Sequence, residues 1–351
     1  MRRRLRIVLA VAVALLVVTG AVVAVLWWRA ADRTDLERAL ALGPAGAERV
    51  SWTAWADVRR ELGADVDDGS STEELETFLG EGYDADLTST SALVESAAVL
   101  HEEFGWSPAS VAWELFVQSG DGAAVVVGLP ESLDTDELGD RLADLGYTRP
   151  ESETGVWVGG GEVLATAAAG RPVSPVLQHV ALDAEEHVLT AGDDAAYVES
   201  VVADRGGDED FEEVADAVGE PLTAALYRGS HACAELAMSQ SDTDAQAEAE
   251  QLVTAAGEVG PYTAFAMGVQ PDLDVLVALS FETEDQAEVN ADSRAVLASG
   301  AAPGQGGTFP DRFELGEVTA DGTVVRMPLA PVEGASVLSD LSTGPVLFAT
   351  C

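Results

Sequence analysis

The chain has 351 residues, with 18 basic and 62 acidic side chains for a formal charge of −44, and 47% of it is hydrophobic, including seven Trp. Every basic residue is Arg. So acidic a chain repels nucleic acid and anionic lipid surfaces, and so apolar a chain can bury a core, which argues against disorder.

Residues 1–6 form a basic tail with Arg2, Arg3, Arg4 and Arg6, followed by an apolar run over 7–28 interrupted only by Thr19 and Gly20. Twenty-two residues at about 1.5 Å rise give roughly 33 Å of helix, enough for a ~30 Å hydrocarbon core. An uncleaved anchor is preferred to a signal peptide. Cutting at Thr19-Gly20-Ala21 would leave a long apolar mature N-terminus, whereas Trp27-Trp28 suits the outer interface of a span. The basic tail sets the N-terminus inside, and no later stretch is apolar enough to span. The expected location is therefore a single-pass cell-membrane protein with a cytoplasmic N-terminus and an extracellular C-terminal domain. That domain carries 14 Arg against 62 acids, a formal charge of −48.

Residues 29–110 read as a juxtamembrane helical region. A helix over 32–42 stops at Gly43-Pro44. A short strand over 50–52 leads to a helix over 54–62 capped by Thr53. Ser71 and Glu74 form a capping box for a second helix ending at Gly80, and a third spans 91–104. Over 111–233 the pattern changes to hairpins followed by helices. Strands 113–119 and 123–129 flank Gly120-Asp121-Gly122, and a helix over 134–145 ends at Gly146. A second hairpin over 179–189 precedes a helix over 194–204. Residues 234–262 form a helical connection. Two more hairpins follow in 263–351, over 263–281 and 313–329, each with a helix behind it. Closing strands are expected over 222–227 and 345–349. The fold class is thus α+β: one transmembrane helix, then antiparallel hairpin–helix units in two halves, consistent with a duplication. Cys233 and Cys351 are the only cysteines and most simply pair with each other.

Chemistry-bearing motifs are sparse. His101-Glu102-Glu103-Phe104-Gly105 begins like a zinc-protease helix but lacks the second His. His179 and His187 sit on opposite arms of one hairpin with no third ligand. Gly229-Ser230-His231 lacks the second glycine of a nucleophile elbow. The acidic stretches 65–68 and 208–213 lack the alternation of a calcium loop. No metal site and no cofactor is expected. Among the aromatics, Trp52, Trp55, Trp106, Trp113 and Trp157 are groove candidates. Trp113 alternates with Leu115 and Val117 as a core face does, which leaves Trp52 and Trp55 as the preferred binding residues.

The basic anchor, Trp52-Thr53-Ala54-Trp55 with Val58-Arg59, the run Ser293-Arg294-Ala295-Val296-Leu297-Ala298 and the terminal Pro345-Val346-Leu347-Phe348-Ala349-Thr350-Cys351 together resemble membrane-anchored extracytoplasmic proteins of actinobacteria. The resemblance implies a location and no chemistry. The expected function is a non-catalytic, membrane-anchored module that binds an envelope protein or wall component. The alternatives are an extracellular hydrolase with paired carboxylates and a carrier with an apolar cavity for a hydrophobic ligand.

Overall fold

Twelve strands, most of them in hairpins set between helices, join into one antiparallel sheet, so the protein is a mixed α+β fold. The computed structural model describes residues 33–152, 154–207 and 209–351. The tail 1–6 and the expected span 7–28 lie outside the described residues. Among the described residues no helix is long and apolar enough to cross a membrane.

The strands are β1 (Arg49–Thr53), β2 (Trp113–Ser119), β3 (Gly122–Gly128), β4 (Val156–Val158), β5 (His179–Asp183), β6 (Val188–Gly192), β7 (Thr223–Arg228), β8 (Ala264–Val269), β9 (Val275–Ser280), β10 (Phe313–Leu315), β11 (Thr319–Asp321) and β12 (Val324–Pro331). Their spatial order is β10-β12-β9-β8-β7-β1-β2-β3-β6-β5-β4, with β11 also on β12. The order mirrors itself about the centre. On one side lies the hairpin β2–β3 and then β6–β5; on the other lies β8–β9 and then β12 with β11. At the centre β1 and β7 run antiparallel, with Ser51 opposite Ala225. The strand at 49–53, which falls in the expected helical region, is thus central to the sheet.

Both faces of the sheet are covered, so strand side chains on either side are buried. One face carries Val125, Val127, Leu189, Tyr227, Phe265, Met267, Val277 and Met327. It packs under the helices Thr72–Asp84, Thr135–Leu145, Gly160–Ala168, Thr243–Ala256, Glu284–Ala298 and Val337–Ser342. The other face carries Val50, Trp52, Leu115, Val117, Val126 and Leu226. Its cover is Leu36 of Asp35–Leu42, Val201 of Ala195–Ala203, and Phe211, Val214 and Val218 of Glu209–Val218.

Local signals explain most element ends. Thr34 with Glu37 and Ser71 with Glu74 form capping boxes. Asp134, Asp194, Asp242 and Thr283 accept N-terminal amide protons of their helices. Gly146 ends its helix at φ +100°, in the left-handed region that glycine enters without penalty.

Four expectations are corrected. Thr53 is not a helix cap: it belongs to β1, and the cap position falls to Ala54, which makes no side-chain cap bond. The helix expected over 91–104 is a 3-10 turn Val94–Ser96, one α-turn Ala97–Val99 and a π-helix Leu100–Phe104. His187 lies in the β5–β6 turn at φ +51°, so His179 faces Gly192 across the hairpin instead. The last closing strand is absent among the described residues. Residues Leu347–Ala349 form a 3-10 turn, because side chains rather than a neighbouring strand take the carbonyls of this segment. The expected bridge Cys233–Cys351 is present, with Cα atoms 5.6 Å apart.

Candidate functional site: buried clamps and surface clefts

The tryptophans favoured by the sequence lie in the core. Trp52 is 1% exposed and Trp55 is fully buried. Trp52 points to one face of the sheet, where its ring stacks on Trp113 at 5.7 Å and its Nε1 donates to the Pro221 carbonyl. Trp55 starts the next helix on the opposite face and donates from Nε1 to Glu114 Oε2 at 3.0 Å. With helices over both faces, neither ring borders a groove.

Glu114 is the carboxylate at the hub of this region. On β2 it is 1% exposed and accepts from Trp55, from Ser91 Oγ at 2.6 Å and from the Ala92 amide at 2.6 Å. Burial pushes its pKa up to about 7, against the opposing pull of these donors. The segment that supplies Ser91 and Ala92 also crosses the seam between the two sides of the sheet. Thr223 Oγ1 donates to the Trp52 carbonyl, so Thr90 Oγ1 is the donor in its 3.0 Å contact with Thr223 Oγ1. Farther back, Asp86 accepts from the amides of Leu338 and Ser339 at 2.6 and 3.1 Å, tying this segment to the helix Val337–Ser342. Burial raises the Asp86 carboxyl to about 6 in spite of those bonds.

The other motifs singled out by sequence are also structural. Arg59 donates from Nη1 to the carbonyls of Pro108 and Val111. Arg294 is fully buried and donates to the carbonyls of Phe348, of Thr350 at 3.0 Å and of Gly260 at 2.7 Å, and to Asn290 Oδ1. Its guanidinium also lies 5.1 Å from the Tyr262 ring centroid. Tyr262 in turn donates to the Ala349 carbonyl. Two separate sequence runs, 293–298 and 345–351, thus form one clamp on the C-terminal segment. His101 of the π-helix hydrogen-bonds Ser107 and the Ser70 carbonyl, while Glu102 and Glu103 pair with Arg171 at 2.5 and 2.8 Å. Among the described residues no three His, Cys, Asp or Glu side chains are grouped to hold a metal.

The positions open to a ligand are on the surface. The largest of three clefts among the described residues, about 680 Å³, lies between the β4–β5 end of the sheet and the helix Thr135–Leu145. Trp157 forms its floor, covered by the Arg149 guanidinium 4.6 Å from the ring centroid, and Arg149 also pairs with Asp140 at 2.8 Å. On the opposite wall Arg205 pairs with Asp183 at 2.6 Å, both side chains about four-fifths buried. Burial alone would raise the Asp183 carboxyl, but the Glu186 amide and the Arg205 guanidinium outweigh it and hold it below its usual range. The Arg205 Nε is buried without a hydrogen-bond partner. Sequence reasoning placed Trp157 among its wider aromatic candidates and missed Arg149, Arg205 and Asp183. Only the scarcity of Arg in so acidic a chain marks them. Neither Glu114 nor Asp86 lines any of the three clefts described for this surface.

No known family profile matches the chain, and no curated protein matches it. Two crystal forms of TP0453 are similar in fold at TM-scores of 0.37 and 0.38, with 9% and 8% sequence identity. They cover 86% of this chain and 96–97% of their own. A likeness this distant carries no argument about function.

Proposed function

We propose that the protein is a single-pass, membrane-anchored extracytoplasmic binding module of the actinobacterial envelope type, with 7–28 as its anchor and the Arg149–Arg205 cleft as the place where an envelope protein or wall component docks. The observation that supports a binding role is the cleft itself. Two of the chain's few Arg converge there beside a buried indole, and each is already paired with an Asp, so the site presents fixed donors and acceptors rather than a bare charge. The mirrored strand order further supports an origin of the two sides by duplication, with β1 and β7 as equivalent strands.

The test is crosslinking in intact cells from a photoreactive residue at Thr154, with and without Arg149→Ala. Arg149 is more than half exposed, so losing its ring contact and its surface ion pair should cost no more than about 1–2 kcal/mol and leave the fold intact. A specific adduct that falls several-fold in Arg149→Ala supports the site. An adduct pattern unaffected by the substitution removes it. Retention of the full chain in membranes after alkaline carbonate washing checks the anchor separately.

A further inference from the structure

A second crevice, of about 380 Å³, opens where the described chain begins. Its floor is apolar: Leu42, Leu129, Val188 and the indole of Trp113. The indole is a built platform. It stacks on Trp52 on one side and crosses Gly128, where a Cβ would lie 2.2 Å from the ring atoms, so no larger residue fits there without moving it. The rim carries both signs, Arg33 and Arg38 against Asp35 and Glu186, with His187 beside them. Arg38 donates to the carbonyls of Arg33 and Thr34 and pairs with Asp35 at 3.2 Å. Its side chain is 58% exposed, and a guanidinium has five N–H donors, so donors remain for a further acceptor.

Position narrows the occupant. Arg33 is five residues beyond Trp28, a stretch that spans at most about 18 Å when fully extended. If 7–28 is the anchor, the crevice therefore opens close to the outer leaflet. The overall charge of −44 disfavours an anionic lipid. A rim of both signs around an aromatic floor suits a headgroup that itself carries both.

We infer that this crevice holds the headgroup and glycerol of a zwitterionic phospholipid, with Arg33 and Arg38 on the phosphate, Glu186 and Asp35 facing the ammonium, and Trp113 beneath the glycerol. The inference rests on the anchor reading under the proposed function, and its test separates the two. The full chain, solubilised in mild detergent, is supplied with phosphatidylethanolamine or phosphatidylglycerol, and retained lipid is counted by native mass spectrometry. The expected result is one retained phosphatidylethanolamine, with occupancy falling about tenfold in Arg33→Ala/Arg38→Ala, the scale of losing charge-assisted bonds to phosphate. Arg60→Ala, at a side chain that is 75% exposed and lines none of the three clefts, should retain it and so corrects for lipid held by the apolar segment. Equal retention by the double variant, or preference for phosphatidylglycerol, overturns the inference. Release of the chain by carbonate together with Arg33- and Arg38-dependent retention would overturn the anchor and uphold the crevice.

Discussion

The two sides of the sheet each bury a charged group, and they accommodate it in opposite ways. On the first side Glu114 meets an indole, a hydroxyl and an amide. On the second Arg294 meets three backbone carbonyls and an Asn oxygen. No ion pair of either is present among the described residues, so neutral dipoles offset the desolvation cost in both cases. The difference lies in what the group can do when the offset is incomplete. A carboxyl can take up a proton, and burial raises Glu114 into the neutral range. A guanidinium stays charged. Burial lowers Arg294 only to about 10, well above neutral pH. Of the two buried groups, one is therefore responsive to pH and the other is fixed.

The sharpest way to break the comparison is Arg294→Met. It leaves the carbonyls of Phe348, Thr350 and Gly260 buried without their donor, so urea unfolding should show a loss on the order of 3 kcal/mol or more, at a similar cost at pH 5 and pH 8. A loss under 1 kcal/mol would mean that the disulfide, the Tyr262 bond and apolar packing hold the terminal segment without Arg294. Glu114→Gln should act mainly on the pH dependence. With the folded pKa about 7 and the ordinary value 4.5, the native state keeps a proton that the unfolded chain has released. Wild-type stability should therefore be highest below about pH 4.5 on this account, and fall as pH rises through 7. Asp86 adds a term of the same sign between 3.8 and about 6. Glu114→Gln should remove on the order of 1–3 kcal/mol of the difference between pH 5 and pH 8; an unchanged slope would show that Glu114 stays ionised throughout. Trp55→Phe is the smallest perturbation. It costs about 1 kcal/mol and, by withdrawing one donor from Glu114, moves the midpoint of the same transition to higher pH. A midpoint moved downward would contradict the hydrogen-bonding scheme.

Hairpins and caps were legible because each rests on two or three adjacent residues, such as Gly120-Asp121-Gly122 between β2 and β3, or Ser71 with Glu74. What was hidden depends on cover from distant chain. Glu114 alternates with apolar neighbours and reads as the wet side of a strand, but both sides of β2 are packed. Trp52 and Trp55 were misplaced for the same reason: residues 54–112, 59 in all, separate β1 from its first partner β2, and β1 lies between covered faces. Arg294 shows as one letter in a helix, while two of the carbonyls it binds come from more than fifty residues later and the third, of Gly260, from 34 residues earlier. Of the candidate surface site, Trp157 carried an aromatic signal and the arginines only their scarcity, since Arg149 and Arg205 converge through the fold alone.

The central position of β1 also bears on how the chain is made. Its pairing partner β7 places Thr53 opposite Thr223, so one edge of the earliest strand stays open until 170 further residues have been synthesised. Contacts of such separation close slowly, and a bare edge in the interval invites pairing with another chain. A ribosome stalled before β7, or a protein truncated there, would therefore carry an aggregation-prone half-sheet, whereas the complete chain seals that edge with its own second side.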